Sequence, residues 1–333
     1  MITRRTFLPA ATALLAVPAY VRRAAAAGTQ LDLATVWPDG NFHTVNAKRF
    51  AAEVAKATGN AVTINVQSGG ALGFKGPEQL AAVRDGLVPM ADVLNNQQIG
   101  EEPVMGTEGV SFLVGSFDEL KVLHKYLMPE YERIAARNNQ KFLYIVPWPT
   151  QYIHLKTPIT SLDNLRGVRI RSSDKATADM ATLLGGAGTM MPWGEVVPAL
   201  ASGRIEGVAT SATSGVDGRF WEFLKVAYRT NHTFSSQLVS INLDTWNKLS
   251  AADRAKIEEV AKRLQPEFWA VAAQDDATSA KKLSDGGMQV VDPAPEMMAE
   301  MRRRTAPIKE EFLKRVPAAR PIITAYLAEL GRS

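Results

Sequence analysis

The sequence contains no cysteine among its 333 residues, and this absence excludes several chemistries at once. A chain without thiols has no disulfide framework, no thiolate zinc site, no iron–sulfur cluster and no cysteine nucleophile. Catalytic signatures are absent as well: no Gly-x-Ser-x-Gly elbow, no Gly-x-x-x-x-Gly-Lys-Ser/Thr phosphate loop and no His-Glu-x-x-His helix occurs. The common sequence routes to hydrolysis, phosphoryl transfer and zinc chemistry are therefore missing.

Histidine is scarce too, with four residues far apart in the sequence: His43, His124, His154 and His232. None has a partner at helical ligand spacing, so we interpret them as structural or surface groups. The glycine-rich segment 69–73 resembles part of a phosphate loop but lacks its lysine and full glycine spacing, which indicates a plain turn. A metal site built from distant carboxylates and amides stays open. No cofactor is expected.

Positive charge is concentrated at the amino terminus. The first 27 residues contain four arginines and no acidic residue, which leaves 34 basic and 34 acidic side chains in the remaining 306 residues. A remainder with zero formal charge has no general attraction for a phosphate backbone, so nucleic acid is not an expected partner. Its length suggests about two domains, at roughly 150 residues each.

The first 27 residues have the layout of an export signal. Arg4 and Arg5 precede the apolar stretch 8–21, and Ala24–Ala27 supply small residues for cleavage. The order Thr-Arg-Arg-x-Phe-Leu is similar to the twin-arginine signal, which exports folded proteins. A general secretory signal with two arginines is the alternative. We expect cleavage near Ala27 and a mature protein in the periplasm.

Apolar periodicity in the mature chain alternates between strand and helix. Strands are predicted at 31–36, 62–66 and 90–94, with helices at 43–58 and 77–85 between them and Gly59 where a helix stop is expected. The rhythm resumes after residue 140, with strands at 141–148, 167–171 and 205–210 and a helix at 174–184. This order predicts an α/β fold with parallel sheets and right-handed crossovers, in two blocks separated near residue 150.

A long helix is predicted after the second block. Ser250 and Asp253 form a capping-box signature, and the helical pattern continues to about Leu283 with a kink expected at Pro266. A helix of this length can cross from one domain to the other. We expect domain I to comprise residues 28–150 and 236–276, and domain II to comprise residues 151–235 and 277–333.

The segment 164–207 carries the most distinctive motifs. It contains Leu-Arg-Gly-Val-Arg-Ile-Arg ending at Arg171, then Met-Pro-Trp-Gly-Glu-Val, then Ala-Leu-Ala-Ser-Gly-Arg-Ile-Glu-Gly. These pieces, in this order, resemble the solute-binding proteins of TRAP transporters, the DctP family, and the resemblance covers essentially the whole mature chain. It implies a two-domain periplasmic-binding-protein-like fold with a hinged cleft and no catalysis. The implied partners are a small organic acid that carries a carboxylate and the TRAP membrane permease.

The resemblance also implies roles for single residues. In the family, the last arginine of the Arg-Ile-Arg strand clamps the substrate carboxylate, and here that position is Arg171. A guanidinium at a strand end presents a planar fork to a carboxylate, and open α/β sheets bind ligands at such ends. Trp193 takes the family's aromatic position and would form an apolar wall, with a core role as the alternative. Thr210 and Ser211 stand where many members have Asn-Pro, so their hydroxyls are expected to replace that amide.

Two further groups of residues complete the expected pocket. Many relatives have a basic Gly-x-Arg pair where this chain has Trp148, Gln151 and Tyr152. One cationic clamp among aromatic and neutral groups suits a monocarboxylate with an apolar or aromatic body better than a dicarboxylate. The candidates for the opposite wall follow first-domain strands, and turn or surface roles are the alternative for them: Trp37, Asn95 and Gln97.

Two other function classes stay open. One is an exported hydrolase of small acids with Ser172 or Ser214 as nucleophile, although neither serine has a convincing histidine base in the sequence. The other is a ligand-presenting partner of a membrane sensor kinase, which would use the same cleft. The leading hypothesis is a periplasmic solute-binding protein.

Overall fold

The computed structural model describes residues 28–332 and folds them into two β-sheets covered by helices; the predicted leader 1–27 lies outside the described residues. The strands are β1 (Thr29–Ala34), β2 (Val62–Gln67), β3 (Met90–Leu94), β4 (Gln140–Pro147), β5 (Gln151–Leu155), β6 (Arg169–Ser172), β7 (Ala187–Met190), β8 (Gly207–Ser211), β9 (Val226–Arg229), β10 (Ser236–Asn242) and β11 (Gln289–Val291). The α-helices are α1 (Phe42–Thr58), α2 (Gln79–Arg84), α3 (Phe117–Arg137), α4 (Lys175–Leu183), α5 (Val196–Ala201), α6 (Ala212–Asp217), α7 (Leu243–Lys248), α8 (Ala251–Asp285), α9 (Pro295–Thr305), α10 (Pro307–Arg315) and α11 (Ala319–Glu329). Among these helices, none combines the length and the apolar character that crossing a bilayer requires.

The first sheet has the strand order β2-β1-β3-β10-β4. Strands β2, β1 and β3 are parallel, while β10 runs antiparallel to both β3 and β4. Helix α1 ends at Gly59, whose φ of 64° is the left-handed conformation that the sequence predicted for a glycine stop. The glycine turn is also confirmed, because Gly69, Gly70 and Gly73 all have positive φ. All residues of β3 and β10 are buried, as expected for central strands covered on both faces.

The second sheet has the strand order β11-β9-β5-β8-β6-β7. Strands β7, β6 and β8 are parallel to one another, whereas β5 pairs antiparallel with both β8 and β9. The prediction of parallel sheets is therefore right for the β-α-β segments and wrong for the sheets as a whole. The antiparallel strands β4, β5, β9 and β10 lie where the chain passes from one sheet to the other, and no local pattern specifies their direction.

The long helix α8 contacts both sheets. Ser250 caps it by accepting a hydrogen bond from the Asp253 amide at 3.1 Å, and Pro266 lies inside it, so the predicted cap and the position of the proline are confirmed. Its 35 residues correspond to roughly 52 Å at 1.5 Å per residue. Residues 257–272 pack in the core of the first sheet and Leu283 in that of the second. One helix therefore connects the two cores.

Helix α8 also completes the hydrogen bonding of the edge strand β4. The Ile145 amide donates to Oε1 of Gln265 at 2.9 Å, and Nε1 of Trp269 donates to the Ile145 carbonyl oxygen at 2.8 Å. An exposed strand edge presents unpaired backbone groups that invite pairing with other chains. Here two side chains of α8 take the place of a further strand at Ile145.

The carboxyl-terminal helices return to the first sheet. Met301 of α9 and Ile308 of α10 pack in a core of the second sheet, but Phe312, Ile323 and Tyr326 belong to a core of the first. The Tyr326 hydroxyl donates to the carbonyl oxygen of Leu113 at 3.0 Å. The segment 277–332 therefore packs against the cores of both sheets, with α11 against α3.

Gly188 permits the close packing of α4 against β7, the strand beside Arg171. A Cβ atom at Gly188 would lie 2.0 Å from the Ala178 carbonyl oxygen, which is backbone and cannot rotate away. We expect Gly188→Ala to lower the free energy of unfolding by about 1 to 3 kcal/mol, because overpacking forces the helix away from the sheet. Urea denaturation measures this change. Gly100→Ala is the control, since a Cβ atom there meets nothing within 4 Å; equal effects of both substitutions would contradict the close packing.

Candidate functional site

Arg171 lies on β6, in the middle of the parallel part of the second sheet. It pairs in register with Thr189 of β7 and Val208 of β8, and its side chain is only 1% exposed. Its neighbour Ile170 packs in the core on one face of the sheet, so Arg171 extends from the opposite face. Nε of Arg171 donates to the Met191 carbonyl oxygen at 2.9 Å, while Nη2 is buried without a hydrogen-bond partner in residues 28–332.

The charge of Arg171 is retained at neutral pH. Burial lowers the pKa of Arg171 to about 10, and the nearby carboxyl of Asp174 opposes this shift. A buried cation with a free donor is costly unless an acceptor compensates it. Arg171 therefore presents a charged donor that suits an anionic group.

Asp174 connects this arginine to the first sheet. It caps α4 by accepting from the Thr177 amide at 3.0 Å, and Nδ2 of Asn96 donates to its other oxygen at 3.0 Å. Burial raises the pKa of Asp174, while Arg171 and the hydrogen bonds act in the opposite direction. Asn96 belongs to the short 3₁₀ turn that follows β3, so the bond to Asp174 joins the two sheets.

Three tryptophans from separate segments meet between the sheets. Trp37 follows β1, Trp148 follows β4, and Trp193 begins a short turn before α5. The Trp37 ring centroid lies 4.6 Å from that of Trp148 and 5.8 Å from that of Trp193. Trp193 is half-buried and packs against core residues of both sheets. We call these three residues the tryptophan cluster.

His43 joins the tryptophan cluster from α1. Its ring centroid is 4.6 Å from that of Trp148, and its side chain is buried. Burial holds the pKa of His43 well below its usual value, so the imidazole is neutral. Both Nε2 of His43 and Nε1 of Trp37 are buried without a hydrogen-bond partner among the described residues. No motif surrounds His43, so the sequence around it does not indicate a site residue.

Tyr152 and Thr210 lie on the same face of the second sheet. They pair in register across β5 and β8, and Tyr152 also pairs with Arg229 of β9. The Tyr152 hydroxyl donates to Oδ1 of Asp276 at 3.1 Å and accepts from Nε of Arg229 at 2.8 Å. Burial raises the pKa of Tyr152, with Asp276 adding to the shift. No sequence motif marks Arg229 or Asp276 as site residues. The only local indication is that Asp276 is one of two adjacent aspartates inside the long helix α8.

Ser211 and Gln151 have local hydrogen-bonding roles. The Ser211 hydroxyl accepts from the Ser214 amide at 3.1 Å and caps α6, and Ser211 is fully buried. Nε2 of Gln151 donates to the Pro149 carbonyl oxygen at 2.8 Å within the connection between β4 and β5. Both side chains therefore hold loops beside the tryptophan cluster.

Asn95 and Gln97 follow β3, as the sequence predicts, but have different contacts. Nδ2 of Asn95 donates to the Tyr131 hydroxyl at 3.2 Å, and its Oδ1 accepts from the Ser236 amide at 3.1 Å. Nε2 of Gln97 instead donates to the Ser173 carbonyl oxygen at 3.2 Å. Asn95 is thus held within the first sheet, whereas Gln97 reaches the second.

Further polar contacts join the two halves. Nδ2 of Asn41, the residue that caps α1, donates to Oδ2 of Asp217 at 2.6 Å, and Lys75 forms an ion pair of 3.2 Å with Glu195. Burial raises the pKa of Asp217 to about 6. Together with the tryptophan cluster, these contacts bring the loops of the two sheets into direct apposition.

Within residues 28–332, neither serine of the hydrolase alternative is hydrogen-bonded to a histidine or carboxylate base. The Ser172 hydroxyl is buried and lacks a hydrogen-bond partner in the described part of the chain, and the Ser214 hydroxyl contacts that of Ser211 at 3.2 Å. Nε2 of His154 instead lies 3.3 Å from the Ser211 carbonyl oxygen. Within residues 28–332, no group of three or more histidine, aspartate or glutamate side chains is arranged to hold a metal ion.

Comparison with known proteins places this architecture in a family. The sequence model of the family described as bacterial extracellular solute-binding protein, family 7, DctP, matches residues 33–315. A solute-binding protein of Chromohalobacter salexigens is 24% identical over 86% of this chain and 88% of its own length. An extracytoplasmic solute receptor of Bordetella pertussis that binds pyroglutamic acid is 29% identical, covers 90% of this chain and 99% of its own, and has a TM-score of 0.86.

A second solved structure is similar to the same extent. A TRAP solute-binding protein from a marine metagenome, specific for pyroglutamate, is 28% identical, covers 90% of this chain and 98% of its own, and has a TM-score of 0.85. The family match spans most of the chain and both sheets, and the motifs of segment 164–207 lie within it. The chain therefore belongs to the DctP family of bacterial extracellular solute-binding proteins, the solute receptors of TRAP transporters.

Proposed function

We propose that this protein is a periplasmic receptor that closes two α/β domains around a small monocarboxylate and delivers it to a TRAP membrane permease. The observation that carries the proposal is the free Nη2 donor of Arg171, a charged guanidinium that is 1% exposed. A carboxylate bound there would accept two parallel hydrogen bonds and neutralise the buried charge. No catalysed step is needed.

The charge distribution favours one carboxylate over two. In residues 28–332, Arg171 is the only arginine or lysine whose side chain is buried. Lys48 and Lys75, two lysines on the first sheet's side, are exposed and form ion pairs with Asp39 and Glu195. A second ligand carboxylate would find only Arg229 next to Tyr152, and that guanidinium already pairs with Asp292 and the Tyr152 hydroxyl.

The tryptophan cluster favours a compact, partly apolar ligand body. Aromatic rings bury large apolar areas and stack on flat groups. The two receptors with about 29% and 28% identity bind pyroglutamic acid, a small ring that carries one carboxylate, and we propose the same ligand class here. The residues proposed to contact the ligand are Arg171, Trp193, Trp37, Trp148, Tyr152 and Thr210. Gln97 is proposed to join the domains on closure, and Asn95, Gln151 and Ser211 to hold the surrounding loops.

The domains that would close are defined by the sheets. We propose one unit around the first sheet, residues 28–150 and 236–276, and one around the second, residues 151–235 with the chain from 277 onward. The packing of α10 and α11 on the first core adds residues 312–332 to the first unit. Helix α8 would be common to both domains, because it packs in both cores.

Arg171 generates the first test of this function. We expect Arg171→Ala to weaken pyroglutamate binding by about 2 to 5 kcal/mol, because the ligand carboxylate would lose its buried cation. Arg171→Lys should weaken it by less than Arg171→Ala, since the charge remains but the planar fork is lost. Calorimetry measures both. The control is Arg169→Ala, an exposed arginine on the same strand that donates to the carbonyls of Gly203 and Arg204. Unchanged affinity in Arg171→Ala would refute the clamp.

Domain closure gives a second expected outcome. Addition of pyroglutamate should reduce the radius of gyration in small-angle scattering, because the ligand binds both domains and favours the closed arrangement. Arg171→Ala at the same ligand concentration is the control and should remain unchanged. A wild-type radius that stays constant at saturating ligand, as established by calorimetry, would argue against a hinged cleft.

Export of the protein gives a third test of the proposed function. Changing both Arg4 and Arg5 to lysine should abolish periplasmic accumulation, because the twin-arginine route reads that pair. Cell fractionation measures the outcome, and the matched control changes Arg22 and Arg23, which lie in the same leader after the apolar stretch. If the Arg4 and Arg5 variant accumulated normally, the general secretory signal would be the correct interpretation.

A further inference from the structure

Two buried ring nitrogens next to Trp148 have no hydrogen-bond partner in residues 28–332. They are Nε1 of Trp37 and Nε2 of His43, and each side chain is only 4% exposed. Trp148 differs, because its Nε1 donates to Oε1 of Gln237 at 3.4 Å. Buried polar groups are nearly always paired in folded proteins, so these two atoms require an explanation.

Both atoms belong to the aromatic surface that reaches the Arg171 clamp. The rings form a continuous series, with centroid distances of 4.6 Å from His43 to Trp148, 4.6 Å from Trp148 to Trp37 and 5.8 Å from Trp37 to Trp193. Arg171 bonds the carbonyl of Met191, two residues before Trp193. Trp37 and His43 therefore contact the same ring, Trp148, and Trp37 connects this ring to Trp193 and the segment that Arg171 holds.

The surroundings of Trp37 and His43 disfavour a second anion. The Trp37 amide donates to Oγ1 of Thr35 at 3.3 Å, and the Thr35 hydroxyl donates to Asp92 at 3.2 Å, which places a buried carboxyl two hydrogen bonds from Trp37. His43 is neutral, and no buried lysine or arginine accompanies it within the described residues. A negatively charged group here would be dehydrated without a compensating cation, which is costly.

The chemistry of the two atoms specifies an uncharged group. The indole nitrogen can only donate a hydrogen bond, while a neutral imidazole nitrogen donates or accepts according to its tautomer. A secondary amide offers one acceptor and one donor side by side. We propose that Trp37 and His43 recognise an uncharged amide of the ligand, whose carbonyl oxygen accepts from Nε1 of Trp37 while its N–H donates to Nε2 of His43. A five-membered lactam carboxylate carries both groups, a carboxylate for Arg171 and an amide for Trp37 and His43. This inference rests on the proposed function, because Arg171 must hold the carboxylate.

A ligand series tests the inference on the wild-type protein. Calorimetry would compare L-pyroglutamate, its lactone analogue, which keeps the carbonyl but lacks the N–H, and cyclopentanecarboxylate, which lacks both. Each lost hydrogen bond should weaken binding by about tenfold. Glutarate, which carries a second carboxylate in place of the amide, should bind more weakly than pyroglutamate.

Two variants assign the contacts to residues. Trp37→Phe keeps an aromatic ring but removes the N–H, so it should weaken the binding of pyroglutamate and of the lactone by about tenfold more than that of cyclopentanecarboxylate. His43→Phe should weaken pyroglutamate but not the lactone. Trp148→Phe is the matched control, because its N–H is already paired within the protein and its loss should affect all three ligands alike. Circular dichroism establishes that each variant is folded.

The outcomes separate this inference from the function on which it rests. Equal binding of pyroglutamate and cyclopentanecarboxylate to the wild type would overturn the amide assignment and leave a monocarboxylate receptor. An equal loss of affinity for all three monocarboxylates in Trp37→Phe would also overturn the amide assignment. If none of the three monocarboxylates bound, the proposed function would fail and the amide assignment with it. Should a variant fail to fold, the wild-type ligand series decides alone.

Discussion

A guanidinium removed from water must recover its lost hydration from fixed protein groups, and Arg171 imposes this requirement at the contact between the two sheets. Its Nε atom fixes the Met191 carbonyl, which sets the position of the segment that leads to Trp193. Its charge acts on Asp174, whose carboxylate caps α4 and accepts a hydrogen bond from Asn96 of the first sheet. The segment that leads to Trp193 and the hydrogen bond between Asp174 and Asn96 therefore both lie next to the buried charge of Arg171.

Helix α8 is the second feature that joins the two sheets, because it packs in the cores of both. Its amino-terminal part is fixed to the first sheet through Gln265 and Trp269, which pair with the backbone of Ile145. Further along, Asp275 accepts a hydrogen bond from Thr213 and Asp276 accepts one from Tyr152, so the same helix is fixed to the second sheet. The two sheets are thus connected by this helix and by the chain crossings near residues 148–150, 230–235 and 308–312.

The tryptophan cluster illustrates how the site combines distant parts of the chain. Trp37, Trp148 and Trp193 come from the connections after β1, β4 and β7, and only Trp193 lies within a recognisable motif. Trp148 was proposed from the resemblance to the family, whereas position after a strand was enough to propose Trp37 from the sequence. The same reasoning also nominated Asn95, whose amide is instead bound to Tyr131 and the Ser236 backbone within the first sheet. Sequence position places a side chain near a sheet edge but does not specify which hydrogen bond it makes there.

The sequence by itself determined the features that depend on neighbouring residues. Apolar periodicity located the β-α-β segments, Ser250 and Gly59 marked helix ends, and the motifs of segment 164–207 pointed to the family and to Arg171. Only the tertiary structure decided the antiparallel strands β5 and β10, the return of α11 to the first core, and the grouping of Tyr152 with Arg229 and Asp276. These features join residues up to about 200 positions apart, and their free energy comes from burial and pairing in the folded state rather than from any local preference.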